Sequence, residues 1–114
     1  MSIFLFQDRI IILLTSISGS SKVFQGSIVS YSNKLKNSLL NISEEKLTKY
    51  GAVSKEVCEA MAINVKEKLG SDWAIAISGI AGPNGGSKDK PVGLVYISIS
   101  GPNNHITNIN IRFI

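Results

Sequence analysis

At 114 residues the chain has room for one domain with one hydrophobic core, and not for two. Its 44% hydrophobic and 18% charged residues form a globular balance, which excludes intrinsic disorder. The net charge of +4 comes from scattered lysines, so no basic stripe argues for nucleic acid, although a mildly positive surface suits a small anion.

The N-terminal stretch "MSIFLFQDRIIILLTSI" is apolar, but Gln7, Asp8 and Arg9 cut it. The run Ile10–Leu14 is far short of the ~20 residues that span a bilayer, and no cleavage site for a leader follows. It reads as soluble core sequence, a strand and then a helix, with no membrane partner. Residues 24–31, "FQGSIVSY", read as a strand through Val29 and Tyr31. "SNKLKNSLL" reads as a short helix capped by Ser32 or Asn33, with Leu35, Leu39 and Leu40 as its apolar side.

"SEEKLTKYG" is a second short helix, with Ser43 as cap, Glu44 and Glu45 in the first turn and Gly51 as stop. The longest helix is "SKEVCEAMAINVKEKLG", capped by Ser54 and ended by Gly70. Its stripe is Val57, Met61, Val65 and Leu69, widened by Cys58 and Ala60. "DWAIAIS", "VGLVYISIS" and "HITNINIRFI" follow as strands. Helices followed by strands predict a layered α/β fold in a single domain over residues 1–114. Between the first two of these strands lies "SGIAGPNGGSKDKPVG", Ser78 to Gly93, far longer than the two to five residues that a hairpin needs.

Cys58, the single cysteine, excludes an internal disulfide and fits a reducing, cytoplasmic setting. In its helical pattern it reads as a small buried hydrophobe rather than a reactive thiol. The single histidine, His105, lies in a turn, and no carboxylate cluster accompanies it. No metal site and no cofactor are therefore implied. The same histidine is too remote for a Ser-His-Asp triad. Ser20, Ser21, Tyr31 and Lys36 are the polar groups near the first strand. A lysine serves as a base when burial depresses its pKa, and a tyrosine hydroxyl relays protons. By residue type alone the plainer reading wins: loop serines, a strand tyrosine and a helix lysine in water.

The stretches "GSSKVFQGSIVSYSNKLK", "YGAVSKEVCEAMA" and "AISGIAGPNGGSKDKPVGLVYISI" change that balance. In this order and spacing, from Ile17 to Ser100, the chain resembles the C-terminal domain of CinA, the competence/damage-inducible protein family that includes the PncC-type nicotinamide-nucleotide amidases. The resemblance implies a three-layer α/β/α sandwich with a mixed sheet. It implies a hydrolase that converts nicotinamide mononucleotide to nicotinate mononucleotide and ammonia, with no cofactor. The family's serine, tyrosine and lysine fall on Ser21, Tyr31 and Lys36. Ser21 would attack the carboxamide carbon, and Lys36 and Tyr31 would take and return its proton. Lys34 would be an ordinary solvated lysine. Ser20, Gly79, Ala81, Gly85 and Gly86 would border the nucleotide, the glycines offering backbone N–H groups to a phosphate or oxyanion. The same loop also reads as a scaffold that packs over the sheet edge.

Two departures from the family pattern matter. The segment "ESCTGG" expected upstream is replaced by "IFLFQD", and the chain stops at "NIRFI" where a final helix is expected. The chain thus reads as a domain shortened at both ends, with apolar sheet surface open to association between copies. The competing reading is a non-catalytic CinA-like remnant with a structural or interaction role only.

Overall fold

The computed structural model describes residues 16–19, 33–80 and 93–112. Among the described residues three helices precede three strands: α1 (Asn33–Leu40), α2 (Glu44–Tyr50), α3 (Lys55–Leu69), β1 (Ala74–Gly79), β2 (Leu94–Ser100) and β3 (Ile106–Arg112). A short 3-10 turn, Pro102–Asn104, joins β2 to β3.

Local chemistry sets the helix ends. Ser43 accepts the Lys46 N–H at 3.1 Å and so satisfies a free donor of the first turn of α2. Ser54 does the same for the Val57 N–H at 3.2 Å, and its own hydroxyl donates to the Gly51 carbonyl at 2.8 Å. One side chain therefore ties the end of α2 to the start of α3. Gly70 closes α3 in the left-handed region, at φ 64°, which a side chain would resist.

The strands lie in the order β1-β2-β3, both pairs antiparallel, with Ala76 opposite Ser98 and Ser98 opposite Asn108. Side chains alternate across the sheet, so one face carries Ala76, Ser78, Ser98 and Ser100 with Leu94 and Tyr96, and the other Ile75, Ile77, Val95, Ile97 and Ile99. Helix α3 packs on the first of these faces, where Tyr96 meets the core. It comes close at Cys58, whose Sγ donates to the Ala76 carbonyl at 3.3 Å and lies 3.4 Å from that of Tyr96. Val57, Cys58, Met61 and Ala62 form the buried side of α3, and Leu40, Ile42 and Leu47 join them from α1, the α1–α2 connection and α2.

The polar groups on this face have partners. Ser78 donates to the Ala52 carbonyl at 2.8 Å. Ser98 donates to Asn108 Oδ1 at 2.6 Å, and Asn108 Nδ2 donates to Glu59 of α3 at 3.0 Å. Among the described residues no buried side-chain nitrogen or oxygen lacks a hydrogen bond.

The α/β expectation holds, and so do the three later strands. The strand read at residues 24–31 and residues 1–15 of the N-terminal segment lie outside the described residues, and the described strands are all antiparallel. In α3, Val57 and Met61 are buried as the periodicity predicts, while Val65 and Leu69 are only half-buried. One expectation is corrected. The inner side of α1 is not Leu35, Leu39 and Leu40: Leu35 and Leu39 are 36% and 37% exposed, and Lys36 is buried beside Leu40. Residues i and i+4 share a helix face, so burying Lys36 with Leu40 turns Leu35 and Leu39 outward.

Candidate functional site

Lys36 is the catalytic candidate that the described structure holds. It is 7% exposed on a helix whose orientation is fixed from α3. The last carbonyls of α1 have no partners within the helix. Asn64 Nδ2 donates to the Leu40 carbonyl at 2.7 Å, and Lys68 Nζ donates to that of Leu39 at 2.8 Å. Asn41 then takes a left-handed turn at φ 56°, a conformation that asparagine tolerates. The Ile42 N–H returns to the Lys36 carbonyl at 3.2 Å, and Asn37 Nδ2 donates to the Ile42 carbonyl at 2.8 Å. Ile42, 1% exposed, is thereby seated in the core directly after the helix that carries Lys36.

Burial costs an ammonium its hydration and so favours the neutral amine. It lowers the Lys36 pKa from its ordinary 10.5. Lys34, two residues away, is exposed, as expected of a solvated lysine. Burial thus moves Lys36 in the direction that a base needs, towards the neutral amine.

Gly79 ends β1 opposite Val95. Just beyond it, the Ile80 N–H donates to the Leu94 carbonyl at 2.9 Å and the Gly93 N–H to the Ile80 carbonyl at 2.9 Å. Gly93 sits at φ 89°, so the return into β2 uses a glycine conformation. The base of the long glycine-rich loop is thus pinned at both ends by the sheet ladder. Ser20, Ser21, Tyr31, Ala81, Gly85 and Gly86 lie outside the described residues. α3 packs against α1 on one side and against β1 and β2 on the other, and so links Lys36 to the strand that ends at Gly79. Asn64 and Lys68, which hold α1, do not stand out in the sequence. Their signal is weak: two polar residues on a helix whose partner periodicity cannot name.

A groove of about 450 Å³ runs along α2 and the outer side of α3, lined among others by Asn41, Lys46, Tyr50, Lys55, Glu59 and Asn64. Lys36 does not line it. Cys58 is wholly buried, and burial pushes its thiol up. The expectation of an unreactive packed cysteine is met structurally. Its test is alkylation: Cys58 should resist a thiol reagent in the native chain and react at the rate of a free thiol in denaturant.

The sequence comparison decides the family. The model of the CinA C-terminal domain matches residues 9–113. The chain belongs to the CinA C-terminal domain family. A CinA-like protein of Prochlorococcus marinus strain AS9601 is 88% identical over 100 residues, which cover 88% of this chain and 24% of that protein. A CinA-like protein of Gloeothece citriformis is 52% identical over 100 residues, with the same coverage of each chain. The chain thus spans about a quarter of the length of the curated relatives it matches. Among solved structures, the competence/damage-inducible protein CihA of Agrobacterium tumefaciens superposes with a TM-score of 0.84 at 39% identity, over 88% of this chain and 61% of that one. A CinA-superfamily protein of Escherichia coli superposes with a TM-score of 0.83 at 28% identity, over 89% of this chain and 58% of that one. The fold is therefore the α/β fold of the CinA C-terminal domain, with α1 to α3 and β1 to β3 as part of it.

Proposed function

We propose that the chain carries the amidase chemistry of the CinA C-terminal family, with Lys36 as the base that draws the proton from Ser21 and Tyr31 as the relay. The observation that supports it most is the burial of Lys36 on a braced helix, next to an exposed Lys34. A lysine placed only for solubility would keep its ammonium in water, because burying a charge is costly. The substrate is a nicotinamide mononucleotide-type carboxamide. Ser21 attacks its carbonyl carbon, and the amide nitrogen leaves as ammonia after receiving a proton from Lys36 or Tyr31. Water then releases the acid. Ser20, Gly79, Ala81, Gly85 and Gly86 border the nucleotide, with backbone N–H groups as its oxyanion or phosphate donors; the bonds of Ile80 and Gly93 at the base of the loop support this reading. The setting is the cytoplasm, where a single buried thiol stays reduced.

The test is ammonia release from nicotinamide mononucleotide by the purified chain. Release that disappears in Ser21→Ala supports the assignment. A folded chain that releases none, or a Ser21→Ala variant that keeps the full rate, defeats it.

A further inference from the structure

The outer strand of the described sheet is built for pairing. β3 is seven residues long and matches β2 residue for residue over its whole length, Ile106 with Ser100 through to Arg112 with Leu94, with no bulge. Six consecutive residues, Thr107 to Arg112, are exposed. Among the described strands, β3 has a neighbour on one side only. Protein edges are ordinarily guarded by lysine, proline, a bulge or an inward charge. β3 has none of these along "ITNINI", and Arg112 at its end is its one charge. Ile109 and Ile111 are 44% and 38% exposed on one face, and Asn108 and Asn110 stand on the other.

We propose that β3 pairs antiparallel with β3 of a second copy of this chain, about a two-fold axis at Ile109. Symmetry restricts the register. A two-fold perpendicular to the sheet pairs residues of one face with residues of the same face, so it must pass a residue position. Ile109 is the centre that pairs all seven residues. Ile109 then faces Ile109 of the second copy, Thr107 faces Ile111, and Asn108 faces Asn110, the Asn108 amide keeping its bonds to Ser98 and Glu59 of its own chain. The two Arg112 side chains fall at opposite ends, roughly 20 Å apart along the strands, so the like charges do not oppose one another. An uncharged edge offers a charged partner nothing to pair with, whereas it complements itself. A single strand edge buries less than the ~800 Å² per partner of a standard interface, so the dimer forms and dissociates with concentration. This pairing does not depend on the amidase reading.

Disulfide trapping reads the register directly. In the full chain carrying Ile109→Cys, the two sulfur-bearing residues lie opposite each other with Cα atoms about 4.5–5.5 Å apart, within disulfide range. In Ile111→Cys they lie about 14 Å apart, out of range. Both positions are exposed, so either variant should keep the native far-UV spectrum, and buried Cys58 stays out of the reaction. Mild oxidation should convert Ile109→Cys to a covalent dimer at least tenfold faster than Ile111→Cys. Equal rates, or no dimer from Ile109→Cys, would overturn the proposed register. Sedimentation of the unsubstituted chain should show its mass rising towards double between about 1 and 500 µM, the range suited to a small interface. A monomer throughout would overturn the pairing itself.

Discussion

Lys36→Met is expected to abolish ammonia release from nicotinamide mononucleotide while leaving the chain folded. A positioned general base contributes roughly 10²–10⁴-fold to rate, and methionine offers no lone pair of comparable basicity. Methionine nearly matches the lysine stem in volume, so the buried space beside Leu40 stays filled. Activity and stability should therefore part company. Loss of the rate with an unchanged circular dichroism spectrum places Lys36 in the chemistry. Full activity in the variant removes it from the mechanism.

The pH dependence follows from the same burial. The folded chain holds the Lys36 proton less tightly than the unfolded chain, because desolvation lowers the folded pKa below 10.5. Between the two pKa values the unfolded state binds more protons, so stability rises with pH through that window. The penalty for burying the ammonium is fully present below the folded pKa and is relieved above it. Lys36→Met should lack this rise. The hydrolytic rate should climb with pH over the folded pKa of Lys36, since the neutral amine is the active form. Denaturant titrations at several pH values, beside the rate profile, check both signs. A stability slope that survives in Lys36→Met would assign it to another group.

Ile42→Ala carries the largest expected effect on stability. Ile42 is 1% exposed and sits in the α1–α2 connection, not in a helix, so its backbone is held by Lys36 and Asn37 rather than by a regular ladder. Truncating a buried isoleucine to alanine costs about 2–5 kcal/mol, from lost transfer energy and the remaining cavity. Domains have about 5–15 kcal/mol in total, so the loss is a large share. At about 4–8 °C per kcal/mol for a chain near this size, the melting temperature should fall by roughly 10 °C or more. Ile63→Ala is the useful contrast: that side chain is 40% exposed on the outer side of α3, so its loss should cost far less. Similar drops in the two variants would mean that the core does not centre on Ile42.

Several of these features are legible in the amino-acid sequence. Ser43, Ser54, Gly51 and Gly70 can be read as helix ends because capping is local: the bonded groups lie within about one turn of chain. The three strands after Trp73 can be read because β-branched residues and turn signals carry them without reference to partners. Cys58 is legible as core because it follows Val57 on the apolar stripe of α3. The roles of Ser21 and Tyr31 come from family resemblance and not from their spacing, and they concern positions outside the described residues.

The inner face of α1 is not legible in this way. A helix of two turns with three leucines and two lysines has more than one plausible apolar side, and hydrophobicity favours the leucines. What turns Lys36 inward is contact at a distance in sequence. Asn64 and Lys68 of α3 seize the carbonyls of Leu40 and Leu39, and Ile42 fills the core beyond. The polar chain Ser98–Asn108–Glu59 is hidden for the same reason, since its members are brought together by strand register and helix docking. By itself the sequence determined the class of fold, the ends of α2 and α3 and the family motifs, because these depend on neighbours along the chain. Only the tertiary structure decided which lysine loses its water, because desolvation depends on what packs around a side chain.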